Sequence, residues 1–335
     1  MPLKKHLVFI LAFTIGTYFK SIAQDPHFTQ YFASPLTLNP ANTGFFDGDY
    51  RFAVNERQQW WNVGASYNTT SISADLKIIN DHIPEFDTFG IGFSGIFDTS
   101  LNGALQSNYI SVSSAYHKSL ASEGSQTLAV GFQVTFADRF INLNKLSFAS
   151  QFNVDFFDTT IPVNINFANA DTKYVELNTG VLYATHLDKS NLYIGASLYH
   201  TTKPKESIFD PSGYTIPFRE TIHGGGEINT STQSSVLFSA VYMRQANITD
   251  QLIGVAYSIK TVNNINDIAP IKLYLGLWYR VNDSYIPYLG AEYNNISVGL
   301  NYSIPASPIF SYQPRTFELS FIYKHKTKTS LCPHF

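Results

Sequence analysis

Residues 126–136 read QTLAVGFQVTF. Leu128, Val130, Phe132, Val134 and Phe136 fall on one face of an extended chain. Thr127, Ala129, Gly131, Gln133 and Thr135 fall on the other. A strict period of two marks a strand with one apolar face and one small or polar face. A soluble sandwich produces the same signal. The decision therefore rests on how often the pattern returns, how long each copy runs, and what precedes it.

From Gly48 onward the pattern predicts fourteen strands, over 50–61, 66–78, 88–97, 105–117, 126–136, 174–186, 191–200, 218–228, 235–244, 251–260, 271–280, 285–293, 296–304 and 315–326. Most run about 9–13 residues, against five or six for strands of soluble proteins. A tilted strand crossing a bilayer needs about 9–11, and bacterial barrels carry an even number. The expected fold is all-β: a transmembrane antiparallel β-barrel of about 14 strands. Residues 24–47 show no clean period and are punctuated by Pro26, Pro35, Pro40 and Gly44. They are expected to form a short irregular plug folded into the lumen.

Composition agrees. Of 335 residues only 14% are charged, while 27 Phe and 21 Tyr raise the aromatics to 15%. Few charges and many rings suit a surface facing lipid. The mean hydropathy is nevertheless −0.07, as it should be when polar lumen residues alternate with lipid-facing ones. A net charge of −3 argues against nucleic-acid binding, which needs a basic footprint. One cysteine, Cys332, excludes an internal disulfide framework.

The N-terminus reads as a secretory leader. Lys4 and Lys5 precede an apolar run at 7–15 that is too short to span a membrane, and Ser21 and Ala23 flank Ile22. Cleavage is expected after about Ala23. The predicted division is a leader at 1–23, the plug at 24–47, the barrel at 48–326 and a tail at 327–335, with the mature chain in the outer membrane.

The connections at 137–173, 201–217 and 305–314 are long and odd-numbered, while two even-numbered ones, 79–87 and 261–270, are longer than the parity rule asks. With both barrel ends periplasmic, odd connections face outward, where bacterial barrels carry their longer loops. Trp60, Trp61, Tyr183, Tyr199, Tyr242, Tyr257, Trp278, Tyr279, Tyr302 and Tyr323 lie near predicted strand ends. Tyr and Trp favour the headgroup level, where a ring is half wet.

Catalytic signals are weak. No G-x-S-x-G elbow and no H-E-x-x-H occurs. His223-Gly224-Gly225-Gly226 resembles an esterase oxyanion loop but lies within a predicted strand, where a kink or a close-packed lumen wall explains it. Asp155, Asp158 and Asp171 lack the spacing of a calcium loop. No enzymatic activity, cofactor or metal is expected. Arg57-Gln58-Gln59-Trp60-Trp61 is a donor-rich run beside two indoles; it suits pinning the plug by hydrogen bonds, or simply an aromatic girdle with polar lumen residues. Lys324, Lys326 and Lys328 with His325 make a basic exit, read as a solvated tail or a docking point for an acidic partner.

Three segments resemble one family. Residues 24–31, QDPHFTQY, followed by Pro35-Leu36, by Leu38-Asn39-Pro40-Ala41 and by Gly44, resemble the start of mature PorP/SprF proteins. Arg57-Gln58-Gln59-Trp60 resembles their first-strand R-Q-Q-W signature, and Leu331-Cys332-Pro333-His334-Phe335 their C-P-x-F tail. Asn42 departs from the commoner aromatic, and Trp61 extends the signature. The resemblance implies an outer-membrane barrel of the type IX secretion system, which exports proteins bearing a dedicated C-terminal signal and in some gliding bacteria serves surface adhesins. SprF-like members help secrete or anchor a cognate adhesin; PorP-like members associate with the periplasmic ring of the machine.

The implied partners are outer-membrane lipid, a cognate secreted adhesin with a type IX C-terminal domain, and periplasmic or outer-membrane components of the machine. Asn39 and Pro40 in the plug, Arg57 through Trp60, and the long-loop residues Phe148, Phe152, Phe156, Phe157 and Phe167 are the candidate structural and partner-binding residues. Exposed rings in such number suit an anchor for a partner or packing onto the barrel. The alternatives are a porin or transporter of small or apolar solutes, and a soluble exported β-sandwich.

Overall fold

The structure is a computed structural model that describes residues 25–326 apart from 63, 65, 79–83, 122, 154–155, 159, 163–169, 209–212, 262–269 and 307–313. The predicted leader with its cleavage point, the C-terminal tail with Cys332, Asp155 and Phe167 lie outside the described residues.

Fourteen strands close into one barrel: β1 (Tyr50–Gln59), β2 (Tyr67–Ile78), β3 (Thr88–Ser100), β4 (Leu105–Ser119), β5 (Gln126–Ile141), β6 (Asp171–Leu187), β7 (Ser190–Tyr199), β8 (Arg219–Asn229), β9 (Ser234–Gln245), β10 (Ile248–Lys260), β11 (Ile271–Arg280), β12 (Ser284–Tyr293), β13 (Ile296–Pro305) and β14 (Thr316–His325). Each pairs antiparallel with its predecessor. β14 then meets β1 along its whole length, from Tyr50 opposite His325 to Gln59 opposite Thr316. Closure leaves no row of unpaired N–H and C=O groups in hydrocarbon, the condition a spanning sheet must meet. The end carrying Tyr50 and His325 is termed the near end below; the end carrying Gln59 and Thr316 is the far end.

The side-chain alternation sorts as the sequence pattern requires. On β5, Phe132 is 53% exposed while its neighbour Gln133 is 3% exposed. Phe93, Val112, Val175, Leu275 and Leu289 continue the exposed apolar belt around the wall. In water such a belt would drive aggregation; in a bilayer it faces a solvent of its own kind. Exposed tyrosines ring both edges, Tyr50, Tyr116, Tyr257 and Tyr293 at the near end, Tyr242 and Tyr285 at the far end. Two aromatics expected at the lipid boundary point inward instead. Tyr199 and Trp278 are 5% and 6% exposed. Both sit at lumen-parity positions, and each spends its polar atom inside: Tyr199 Oη donates to Leu36 O at 3.0 Å, and Trp278 Nε1 to Ser239 Oγ at 3.1 Å.

β5 and β6 run farther than their apolar alternation. β5 continues to Ile141, and β6 begins at Asp171. Strands 16 and 17 residues long exceed what a bilayer crossing needs. Beyond the lipid an outward residue no longer has to be apolar, so Asp138 follows Phe136 and the pattern stops while the hydrogen-bond ladder does not. Arg139 on the lumen side meets Glu206. Glu206 belongs to a small ribbon, Lys205–Glu206 paired with Tyr214–Thr215, in the connection after β7.

Residues 25–49 fill the interior. They form short turns at Tyr31–Ala33, Pro35–Leu38 and Pro40–Asn42 rather than a strand. The prolines explain this, since each fixes its φ and removes a donor. Tyr31 and Leu38 pack with Val241, Met243, Leu252, Trp278, Ile286 and Tyr288, while Phe32 lies edge-on to Tyr288. The barrel thus has a hydrophobic core, and its own N-terminal segment supplies part of it.

Candidate functional site

The segment enters at the far end and leaves at the near end, and wall groups meet it at each level. At the far end the Asp25 carboxylate lies 2.6 Å from His200 Nε2 and accepts from Arg219 Nη1 at 3.1 Å and Gln245 Nε2 at 3.2 Å. His200 Nδ1 in turn contacts Glu176. Next, Glu318 of β14, wholly buried, accepts the backbone N–H groups of Thr29 at 2.7 Å and Gln30 at 2.8 Å. Arg57 of β1 stands directly opposite Glu318 across the closing seam. Its Nε is 3.3 Å from the carboxylate, and its Nη1 donates to His27 O at 2.9 Å.

Farther in, three carbonyls of the segment are taken by the wall: Leu36 O by Gln133 at 3.1 Å, Thr37 O by Arg219 at 3.0 Å and Leu38 O by Ser197 at 2.7 Å. Asn39 marks the waist. Its Nδ2 donates to Val181 O at 3.0 Å and meets His223 Nε2 at 3.0 Å, while its Oδ1 accepts from Ala41 N at 2.9 Å. Because the amide can only donate from Nδ2, His223 accepts there and holds its proton on Nδ1. The wall leaves room for this approach through missing side chains. A Cβ on Gly180 would stand 1.9 Å from Asn39 Oδ1, and one on Gly131 2.3 Å from Ala41 N.

At the near end Arg51 and Asp75 form a buried pair at 2.8 Å. Arg51 donates to Asn42 O at 3.2 Å, Asp75 accepts from Gly44 N at 2.8 Å, and His117 Nε2 lies 2.7 Å from Thr43 O. The carboxylates are paired and hydrogen-bonded, the arrangement that makes a buried charge tolerable.

Little space remains beside the segment. Two cavities next to it, one by Asp25, His200 and Arg219 and one by Phe28, Tyr31 and Leu252, measure about 30 Å³ and 20 Å³. Each has room for a water or two, since one water needs roughly 10–15 Å³ by this measure. At the far mouth a cavity of about 320 Å³ opens among His27, Arg57, Gln59, Trp60, Arg280 and Asp283.

The expected site residues separate into three places. Arg57, Asn39 and Pro40 meet at the interface of wall and segment. Gln59 and Trp60 line the far mouth, with the Trp60 ring edge-on to Tyr67 at 5.4 Å. Gln58 is on the outward parity of β1 and takes no part. Phe148, Phe152, Phe156 and Phe157 sit apart, in the far-end loop at 142–170. Phe152 and Phe157 pair in a one-bridge ribbon. They are 64% and 43% exposed, and Phe156 is 58% exposed; Phe148 is half-buried.

Of the calcium candidates, the two described residues are engaged elsewhere: Asp158 caps Thr160 N at 2.8 Å, and Asp171 lies 3.9 Å from Lys173. The oxyanion-like His223 serves as the waist socket for Asn39. Glu318, Asp75, Arg51, Arg219, Glu176 and His200 escaped sequence reasoning. All but His200 carry one usable signal, a charge at lumen parity inside a strand whose other face is apolar.

The Asp25 latch carries a pH dependence. Burial alone would lower the His200 pKa, but Asp25 and Glu176 lift it to about 9. Burial alone would raise Asp25, but His200 and Arg219 hold it well below the usual carboxylate range. His200 therefore stabilises fully below its unfolded pKa near 6.5, and this is lost as pH rises through the folded value. The Asp25 contribution is present above its ordinary pKa and is lost only as pH falls. A spin label at residue 26 should gain mobility between roughly pH 8 and 10 in the unaltered latch. His200→Gln should remove that dependence, and persistence of the same transition in this variant would count against the latch.

A family model described as type IX secretion system membrane protein PorP/SprF matches residues 20–323. Among solved structures the chain is similar to the toluene transporter TbuX of Ralstonia pickettii, with a TM-score of 0.54 at 11% identity over 88% of this chain and 94% of that one. It is also similar to a deltaS2S3 mutant of TodX, a monoaromatic hydrocarbon channel, with a TM-score of 0.50 at 10% identity over 86% and 92% of the two chains. TodX comes from Pseudomonas putida. At such identities the likeness is one of fold. No curated protein matches the chain.

Proposed function

Since this chain belongs to the PorP/SprF family of type IX secretion system membrane proteins, we propose that it helps secrete or anchor a cognate surface adhesin through that adhesin's C-terminal domain. The coarse part of this reading is a type IX secretion barrel of the outer membrane, from the family match and the barrel fold. The adhesin, the contact with periplasmic or outer-membrane components of the machine, and any part in gliding are the finer proposal. So are the leader ending near Ala23 and the division into plug, barrel and tail.

The observation that carries the proposal is the occupied lumen. With the Asp25–Asp49 stretch seated on both ends of the wall, the far loops and the near rim are left as working surfaces, which favours a partner protein over a solute pore. The candidate anchors are Phe152, Phe156 and Phe157, because a ribbon presenting three exposed rings loses apolar surface to water only when something covers it. Arg57, Gln59, Trp60, Asn39 and Pro40 act beneath them by holding the segment and shaping the mouth.

The triple substitution Phe152→Ser, Phe156→Ser and Phe157→Ser is expected to leave the barrel in the membrane fraction with heat-modifiable gel mobility. The adhesin should be lost from the cell surface. Undiminished surface display in that strain would overturn the anchoring role.

A further inference from the structure

At most levels the wall holds the N-terminal segment by its main chain as well as by its side chains. Arg57, Gln133, Ser197 and Arg51 donate to carbonyls of His27, Leu36, Leu38 and Asn42. Glu318 and Asp75 accept the N–H groups of Thr29, Gln30 and Gly44. Contacts of this kind read a backbone and are blind to the side chains it carries. Side chains count at two levels: at the far end, where the Asp25 carboxylate meets His200 and Arg219, and at the waist, where the buried Ala41 lies and Gly131 and Gly180 leave room for the Pro40-Ala41 backbone and the Asn39 amide.

A second observation is independent of the first. Several buried atoms on wall residues of lumen parity find no hydrogen-bond partner among the described residues. Thr221 Oγ1, His223 Nδ1, Asn301 Oδ1 and Asn55 Oδ1 are such atoms, on residues 2% exposed or less. A buried polar group left unpaired has lost its bonds to water and gained none in return. The resident segment uses only part of what the wall offers.

We propose that the lumen is a binding site for an extended polypeptide segment supplied by another chain, and that the N-terminal segment is its resident occupant. The ligand is a main chain in irregular extended conformation with small residues at the waist. The exchange is one of hydrogen bonds for hydrogen bonds: each donor that releases a resident carbonyl takes up one of the incoming chain. This goes beyond the anchoring role proposed above and does not depend on which adhesin is served.

The test uses the full-length chain with a clash that only an incoming peptide can relieve. Gly180→Ala crowds the resident Asn39, while a peptide copying residues 25–47 with Asn39→Gly has room at that point. With Ser113→Cys and Cys332→Ala in the barrel and Thr43→Cys in the peptide, exchange brings two thiols together. In the resident segment the corresponding hydroxyls are 2.8 Å apart. With diamide added as oxidant, the expected result is a disulfide-linked adduct of barrel and peptide by mass, with at least a tenfold lower yield for a scrambled peptide that keeps the cysteine in place but puts a bulky residue at the waist and no carboxylate at the far end. Equal yields from the two peptides, or no adduct, would overturn the proposal. If Gly180→Ala loses its heat-modifiable mobility, the same capture is run on the barrel without that change. A slower but still sequence-ordered adduct is then expected, and its absence is equally decisive.

Discussion

Glu318→Ala is expected to be the most damaging single substitution in the lumen. The carboxylate is wholly buried, bonds two backbone N–H groups of the N-terminal segment and faces Arg57 at 3.3 Å. Removing one partner of a buried ion pair costs about 3–5 kcal/mol, because the other charge stays behind uncompensated. Two orphaned N–H groups add to this. The loss also falls on the closing seam, since Arg57 is on β1 and Glu318 on β14. Gln30 ties the same two strands, taking Asn55 of β1 on its carbonyl at 3.3 Å and Ser320 of β14 on its side chain at 2.6 Å. Urea unfolding in lipid vesicles should therefore show a marked fall in stability for Glu318→Ala and a smaller one for Glu318→Gln, which keeps an acceptor. An alanine variant within roughly 0.5 kcal/mol of the parent, the scatter of ordinary surface changes, would contradict this reading.

Gly131→Val is expected to evict the segment rather than to unfold the barrel. The first added carbon would lie 2.3 Å from Ala41 N and 2.4 Å from the Pro40 carbonyl carbon. Both are backbone atoms, so no side-chain rotation relieves the clash. The strand itself loses nothing, since valine favours an extended chain. The wall stays and its occupant must leave. In planar bilayers the parent should be silent and Gly131→Val should conduct, with heat-modifiable mobility retained. A folded but silent variant would mean that the segment does not block the lumen at this level.

Much of this was legible in the chain itself, and the rest divides by physical range. A period of two reports which way a side chain points, so residues 126–136 announced both the lipid face and the lumen face of β5. It could not end that strand correctly, because past Phe136 the outward side chain leaves the bilayer and the apolar constraint lapses. It also misled at Tyr199 and Trp278. Proximity to a strand end suggested the headgroup level, but parity, the stronger signal, puts both rings inside. The same parity would have exposed Glu318, Asp75 and Arg219 as lumen charges. What no periodicity carries is the pairing of Glu318 with Thr29 and Gln30, or of Asn39 with the gap left by Gly180. These contacts join residues far apart in the chain and exist only once the barrel has closed around the segment. Arg57 stood out early because it lies in a motif, and its neighbour Gln58 shows the limit of that signal: the motif names both residues, while the pleat turns only one of them inward.

The central claim is that the protein's own N-terminal segment threads a sealed cylinder. The measurement that bears on it most directly is a cross-link between that segment and the wall, formed in the membrane. In a Cys332→Ala background, Thr43→Cys with Ser113→Cys puts two thiols where hydroxyls now stand 2.8 Å apart. The account predicts an intramolecular disulfide in most of the outer-membrane protein, seen as a loss of two thiols and a mobility shift on reduction. Two free cysteines in folded, membrane-inserted protein under oxidising conditions would contradict it.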